Sequence, residues 1–374
     1  MRIIHTADLH LDSAMKTNLD AQKAKERRNE LTLNFARLSD IAESLDVKAI
    51  IIAGDLFDTK SVSRKVSSVV LSEIIKHSSL QYYYLRGNHD RDSFINYVKE
   101  EGEIPANLHT FTENWTSYVL NPDSVNKKIV LYGAEFSEDN SSSLIQTLNV
   151  EFSDINIVTL HGQENEYEGK DTTDIVPVSS LKGRGIDYLA LGHIHEYRSK
   201  QLDSRGTYCY PGCLEGRGFD ECGDHGFVLL DIDEESGKIF EQFTDFASRK
   251  LHTLDMDISD TANSSEIIEK LRRELTAHRY SDKDLVKVRL TGKVDENTDV
   301  DEDLIASAFK EDYYFIKVTN ESKVHVDYMK YAYDESLKGW FIRLVKDSDE
   351  FDEDIKGRIV QMGLNALSGE EIME

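Results

Sequence analysis

Cysteine is scarce in this chain: three in 374 residues, Cys209, Cys213 and Cys222, an odd number confined to one region. That excludes a disulfide framework and is the usage of a reducing cytoplasm. No apolar run approaches the roughly 20 residues that a bilayer-crossing helix needs, so no membrane contact is expected. The chain opens on Arg2-Ile3-Ile4-His5, which reads as a strand and leaves no room for a secretory leader. Positive charge is also in short supply. Lys and Arg number 44 against 70 Asp and Glu, a net charge of −26. The deficit is spread along the chain, 27 against 41 up to residue 250 and 17 against 29 beyond it. A self-sufficient nucleic-acid binder carries a basic footprint, so the charge argues against tight independent binding of DNA. It does not exclude a phosphate-bearing substrate, because two bound divalent cations would add four positive charges where the phosphate must sit.

The length favours two domains, and 39% hydrophobic with 30% charged residues is a globular balance. The first 250 residues alternate apolar runs with amphipathic stretches. Ala49–Ala53, Gln81–Leu85, Ile129–Tyr132, Ile155–Leu160, Tyr188–Leu191 and Phe227–Leu230 read as strands covered on both faces. Leu31, Phe35, Leu38, Ala42 and Leu45 recur at spacings of three and four, one buried face of a helix; Val66, Val69, Val70 and Ile74 do the same between Val62 and Lys76. This predicts an α/β layered domain over 1–250. Beyond it, Leu251–Met256, Val286–Leu290 and Tyr313–Val318 read as strands, separated by helices at Ile267–Leu275, capped by Ser264 or Ser265, and at Leu304–Phe309. That is a smaller α+β domain over 251–345, followed over 346–374 by an acidic linker and a helix near Ile355–Leu367.

Five polar clusters follow the strands of the first domain: Asp8-Leu9-His10, Gly54-Asp55-Leu56-Phe57-Asp58, Gly87-Asn88-His89-Asp90, His161-Gly162-Gln163 and Gly192-His193-Ile194-His195. Carboxylate, amide and imidazole are the donors that hold divalent ions of intermediate hardness. Ligands at the carboxyl ends of neighbouring strands lie where open α/β sheets place their sites. Asp8 and His10 are two residues apart, as are His193 and His195, and in extended backbone each pair would point to one side. So many donors suggest two metals, and two metals suggest phosphoester chemistry.

In order and composition these clusters resemble the calcineurin-like metallophosphoesterase superfamily. His5-Thr6-Ala7-Asp8-Leu9-His10-Leu11-Asp12-Ser13 narrows the resemblance to its DNA-repair exonuclease branch, the SbcD and YhaO-like proteins, and Tyr210-Pro211-Gly212-Cys213-Leu214-Glu215-Gly216-Arg217-Gly218-Phe219 is similar to the segment after the last His-x-His in that branch. The resemblance implies a four-layer α/β/β/α sandwich with a C-terminal α+β capping domain. It implies that Asp8, His10, Asp55 and His195 hold one ion and Asp55, Asn88, His161 and His193 a second, with Asp55 bridging. The ions would be manganese first, with Fe2+, Mg2+ or Zn2+ as alternatives. A water shared by cations about 3.5–4 Å apart loses a proton near neutral pH and can attack phosphorus in line. By the same resemblance His89 protonates the leaving oxygen and Asp58 orients His89. The implied activity is exonucleolytic and endonucleolytic hydrolysis of DNA in repair or recombination, with an SMC-type ATPase (an SbcC-like subunit) as partner and a homodimer through the catalytic domain. A phosphatase or small-molecule phosphodiesterase on the same scaffold is the alternative, and the net charge favours it.

Other residues have plainer readings. Arg217 and Tyr210 are candidates for substrate contact, while Arg27, Arg28 and Arg64 read as solvated helix residues and His5 as structural. The Tyr82–Tyr84 run reads as strand core. Cys209-x3-Cys213-x8-Cys222-x2-His225 has a spacing that could be forced into a zinc site, but ordinary buried thiols are the better reading.

Overall fold

The computed structural model describes residues 1–15, 19–59, 61–136, 141–165 and 174–368, and divides the chain into two compact units, Met1–Lys250 and Leu251–Glu374. In the first unit, strands β1 (Arg2–Thr6), β2 (Ala49–Ala53), β3 (Gln81–Leu85) and β4 (Leu108–Thr110) alternate with helices α1 (Ala21–Ser44), α2 (Arg64–Lys76) and α3 (Ser93–Glu101). There follow β5 (Thr116–Val119), β6 (Ile129–Gly133), α4 (Ser141–Thr147), β7 (Ile155–His161), the short β8 (Gln163–Glu164) and β9 (Ile175–Val176), α5 (Val178–Leu181) and β10 (Tyr188–Gly192). Strands β11 (Arg198–Gln201), β12 (Thr207–Tyr210), β13 (Gly226–Ile232) and β14 (Ile239–Asp245) complete it.

These strands form two six-stranded sheets, ordered β14-β13-β1-β2-β3-β4 and β11-β12-β10-β7-β6-β5. Parallel pairing runs through β1-β2-β3-β4 and through β12-β10-β7-β6, with antiparallel strands at the margins. The two-residue period of a strand then sorts the side chains. Ile4, Ile50 and Tyr82 stand in register across three strands and pack with Leu31, Phe35 and Leu38 of α1. Their neighbours Ile3, Ile51 and Tyr83 face the other way, against Ile129, Leu131, Ile157, Tyr188 and Ala190 of the second sheet. That sheet's far side packs under Leu144, Ile145 and Leu181 of α4 and α5. The result is the expected mixed α/β sandwich of four layers. The tyrosines of β3 are core residues, as read from the sequence.

Helix α1 starts where Asp20 accepts the Lys23 amide hydrogen (2.9 Å), and α2 where Ser63 caps it, two residues later than the apolar period indicated. Arg28 and Arg64 meet expectation unequally. Arg64 is exposed and paired with Glu100, whereas Arg28 is half-buried on the Ala14 carbonyl. Arg27 overturns its reading as a solvated residue. It is fully buried, donating to Glu215 (2.8 Å), Glu30 (2.8 Å) and the Gly216 carbonyl (2.7 Å). Glu215 also accepts from Asn34 and from the backbone amides of Ser248 and Arg249, and Arg249 returns to Glu30. A charge can be buried only when it is paired and hydrogen-bonded in this way.

The second unit holds a parallel three-stranded sheet of β15 (Leu251–Asp257), β16 (Leu285–Thr291) and β18 (Phe315–Asn320), and a smaller pair, β17 (Lys293–Asp295) and β19 (Lys323–His325). Helix α6 (Ser264–His278) is capped by Asn263 rather than by Ser264 or Ser265; the amide oxygen takes the Glu266 hydrogen (3.1 Å), while Ser264 bonds Asp299 and Asp301. With α7 (Glu302–Ser307), α8 (Leu337–Lys346) and α9 (Glu353–Ser368), it closes one core around Leu271, Val288, Ile305, Ile342 and Val360. Among the described residues no helix is long and apolar enough to cross a membrane.

Two outcomes test the Arg27 network. Arg27→Met leaves Glu215 without its guanidinium and should lower the unfolding free energy by about 3–5 kcal/mol in urea titration; a loss below about 1 kcal/mol would refute the account. Burial opposes ionisation of Glu30, but hydrogen bonds from Arg249 and Arg27 outweigh it and hold the carboxyl below its usual range. Its contribution is therefore complete above the unfolded-state pKa and lost as pH falls through the depressed folded value. Glu30→Gln should flatten the decline in stability below about pH 4.3, and an unaltered acid limb would count against the pairing.

Candidate metal centre

The five clusters meet at one place, at the carboxyl ends of β1, β2, β3, β7 and β10. Backbone hydrogen bonds knit the first two loops: the Asp8 amide to Gly54 O (3.0 Å), His10 to Asp55 O (3.0 Å) and Leu11 to Leu56 O (2.9 Å). Side chains join the others. Asp8 accepts the His193 amide hydrogen at 2.9 and 3.1 Å, and Asp55 Oδ1 accepts that of His89 at 2.9 Å. Asp90, buried, accepts from the amides of Leu56, Phe57 and Gly87 and so ties the second loop to the third. Gly54 and Gly87 allow the approach. A Cβ at 54 would fall 2.0 Å from His161 Nδ1, and one at 87 would fall 2.2 Å from Asp55 Oδ1.

The backbone here is not extended, contrary to the spacing argument. Asp8 (φ 53°), His10 (44°), Asp55 (49°) and His193 (102°) all have positive φ, a region L-residues enter rarely and at some expense in energy. The side chains of Asp8 and His10 do converge, but a tight turn brings them together.

Three imidazoles share one arrangement. His161 Nδ1 lies 2.9 Å from the Ala53 carbonyl, His195 Nδ1 2.7 Å from Glu221 Oε1, and His10 Nδ1 3.2 Å from Asp58 Oδ1. At His161 and His195 a hydrogen-bonded oxygen behind Nδ1 fixes the proton there and leaves the Nε2 lone pair for a metal, the usual support for a ligating histidine. At His10 the Asp58 carboxylate lies beside Nδ1 but off the hydrogen-bonding direction. The Nε2 atoms then crowd together with other donors: His10 to His195 at 3.1 Å, His161 to Asn88 Oδ1 at 3.1 Å and to Asp55 Oδ2 at 3.5 Å. Asp8 Oδ1 is 3.9 and 4.0 Å from His195 and His10, and Asp55 Oδ2 is 3.9 Å from His10. Two trios, Asp8-His10-His195 and Asp8-Asp55-His161, have donor atoms within 4.8 Å of one another. Bonds of about 2.0–2.2 Å to a common ion would set its ligands about 3–4 Å apart, so these residues fit divalent cations. The His193 ring packs edge-on against His161, 5.3 Å between centroids, and lines the same pocket.

The electrostatics agree. Burial disfavours ionisation of Asp55, yet the charge and hydrogen bond of His161, and then His10, hold it below the usual carboxylate range. Burial likewise opposes charge on His161, but Asp55 and Asp8 raise its pKa. Burial lowers His10 against the pull of Asp58, and Glu221 and Asp8 raise His195 in spite of burial. Asp90 is pushed up to about 7 by burial and by the Asp55 charge.

A pocket of about 520 Å³ opens beside the donors, lined by His89, His193, His195, Glu196 and Arg217 among others. His89 is exposed at its rim, and its Nδ1 stands 3.4 Å from the main-chain carbonyl of Asp58. The Asp58 carboxylate, expected to orient His89, instead serves His10 and Arg217 (2.8 Å). Arg217 is in the pocket, but its guanidinium also binds Glu221 at 2.8 Å. Tyr210 is not available to a substrate: it is fully buried, with its hydroxyl donating to the Gly162 carbonyl at 3.0 Å. His5 is structural, buried against the Tyr188 hydroxyl (2.9 Å), and burial pulls its pKa down to about 3. Cys209 is buried in β12, Cys213 is buried with its sulfur 3.2 Å from His225 Nδ1, and Cys222 is exposed, against the reading of all three as buried thiols. Sequence reasoning missed Glu221, whose carboxyl is held well below the usual range; burial opposes this, but His195 and Arg217 prevail. Its only signal was an acid four residues after Arg217.

A strand-end cluster of acids, imidazoles and an amide, built for two divalent ions, defines a metal-dependent phosphoester hydrolase site. Comparison with known proteins agrees: residues 1–197 match the calcineurin-like phosphoesterase family. The chain belongs to that family, whose members work through a dinuclear metal centre. The uncharacterized metallophosphoesterase YhaO of Bacillus subtilis is 27% identical over 245 residues, which cover 62% of this chain and 57% of that protein. The DNA double-strand break repair protein Mre11 of Saccharolobus solfataricus is 25% identical over 391 aligned residues, 100% of this chain and 97% of the relative. The SbcD component of the Escherichia coli K12 nuclease SbcCD is 24% identical over 282 residues, 64% of this chain and 66% of that protein. The chain thus spans somewhat over half the length of the first of these relatives.

Glu221→Gln should keep the fold but weaken divalent-ion binding on the His195 side by about 10–100-fold, read by equilibrium dialysis with Mn2+. Unchanged affinity would show that Glu221 has no part in supporting that ligand.

Proposed function

We propose that this chain is a two-metal nuclease that hydrolyses DNA phosphodiester bonds, with manganese as its working ion. The observation that carries the reading is the meeting of carboxylate, amide and Nε2 donors from five loops, with an exposed imidazole at the pocket rim. Asp8, His10, Asp55 and His195 would hold one ion, and Asp55, Asn88, His161 and His193 the other. When bound, the pair would neutralise phosphate charge and bring the ionisation of water near neutrality. The residues around them position and protonate. His89, with Nδ1 toward the Asp58 carbonyl, would as imidazolium give its other proton to the leaving alkoxide. Asp58 and Glu221 keep His10 and His195 facing inward.

The choice of DNA is supported by likeness to relatives named for DNA double-strand break repair and for a nuclease, the first of which aligns through the second unit as well. The second unit would act as a cap that orients DNA. Being like one component of a larger nuclease, the chain would work with an SMC-type ATPase in the cytoplasm, and as a homodimer. Such a partner would supply the basic surface that a net charge of −26 denies it. The same charge favours the second reading, a phosphatase or small-molecule phosphodiesterase.

The test is cleavage of end-labelled single- and double-stranded DNA with Mn2+, beside an aryl phosphodiester and the His89→Ala variant. Stepwise shortening of DNA, slowed at least about 100-fold in the variant, is the expected outcome. Turnover of the aryl ester with DNA intact, even with the partner ATPase added, would transfer the site to small substrates.

A further inference from the structure

A second group of metal-type donors lies at the other end of the first sheet. Helices α1 and α2 run back from the carboxyl ends of their strands, so their last turns sit by the starts of β2 and β3, away from the five loops. There His77, the residue that ends α2, is buried to 2% exposure. Its carbonyl accepts from Leu80 N and Asn107 Nδ2, which anchors the chain beneath the ring. Neither ring nitrogen has a hydrogen-bond partner. Three carboxylates nonetheless surround it, placed off the hydrogen-bonding direction: Asp40 Oδ1 3.3 Å and Glu73 Oε2 3.4 Å from Nε2, and Glu43 Oε2 3.3 Å from Nδ1. Donor atoms of Asp40, Glu73 and His77 all lie within 4.8 Å of one another.

We propose that Asp40, Glu73 and His77 form a third divalent-cation site, independent of the dinuclear centre, which takes a zinc-like ion and ties α1 to α2. One imidazole with carboxylates is a donor set for zinc and its neighbours rather than for calcium or magnesium. Bonds of about 2.0–2.2 Å to a tetrahedral ion put neighbouring ligand atoms about 3.3–3.6 Å apart, the separation seen from Nε2 to both oxygens. Glu73 and His77 come from one helix four residues apart, and Asp40 comes from the helix facing them. The mouth is open, with Asp40 and Glu43 more than half exposed. Lys76 closes it in this structure, its ammonium 3.1 Å from both Asp40 and Glu73. Three carboxylates and one ammonium leave two negative charges around a buried imidazole without hydrogen bonds, and a dication in place of the ammonium would reduce the net charge to one. The lysine side chain is half exposed and can swing into water.

The experiment is equilibrium dialysis of the full chain against buffered Zn2+, with bound metal counted by mass spectrometry. Wild type should take three ions, and Asp40→Asn/Glu73→Gln two. Asp8→Asn/Asp55→Asn should keep the ion bound by α1 and α2 at wild-type affinity, and Lys76→Gln should bind it more tightly. Saturation of wild type at two ions, or a third ion that persists in Asp40→Asn/Glu73→Gln, would overturn the proposal.

Discussion

The constraint on which this fold turns is the crowding of acids and imidazoles at the strand ends. Asp8 and Asp55 are buried carboxylates within reach of one another's histidines, and buried charge of one sign is not tolerated without compensation. The protein meets part of that demand from its backbone, since the same carboxylates take the amide hydrogens of His193 and His89. Each acid would therefore have two tasks, as a donor toward an ion and as the clasp between loops from different strands. Positive φ at four of the donor residues follows from this double use: a regular strand end could not turn each carboxylate toward both the centre and the neighbouring loop.

The two sheets contribute unequally, and the difference follows from topology. The first sheet supplies Asp8, His10, Asp55 and Asn88 from three adjacent parallel strands, β1, β2 and β3. The second supplies the remaining imidazoles from β7 and β10, which pair in register up to His161 and Gly192. The core between the sheets, with Ile3, Ile51 and Tyr83 against Ile157, Tyr188 and Ala190, sets the distance at which the two groups meet. The bond from His161 Nδ1 to the Ala53 carbonyl crosses from one sheet to the other. It directs Nε2 and also locks the sheets together, so the register of the sandwich and the geometry of the centre are one property.

Much of this was legible in the chain. Strand runs such as Ala49–Ala53 and Tyr188–Leu191 are local patterns of period and burial, and the five clusters announce themselves by residue type right after them. What escaped was long-range. Arg27 looks like any helix arginine until Glu215, 188 residues away, is folded against it. Glu221 reads as one more acid in an acidic chain, yet it is the partner of His195, 26 residues earlier. Helix α8 was not anticipated: Gly339 weakens its propensity, and the exposed Leu337, Trp340 and Leu344 stand among the buried Ile342 and Val345, which blurs its apolar face in the sequence. Asn263 as the cap of α6 was missed for a smaller reason, the presence of two serines in the positions just after it.

The charge of the chain remains the feature that any account of its chemistry must absorb, and the arginines near the centre sharpen it. Arg217 is bound to Glu221 and Asp58, and Arg86 to Glu135 and Asp92. Both guanidiniums lie by the pockets flanking Asn88, but each is matched by carboxylates of the protein itself and offers a phosphate little net attraction. Under the proposed function, the attraction that draws a phosphodiester to this site must come from the two cations and not from the surface around them. Such a nuclease holds its substrate at short range, at the reacting phosphate, and leaves longer contacts to another molecule. Under that proposal, a division of labour with a basic partner would answer the charge distribution of this chain.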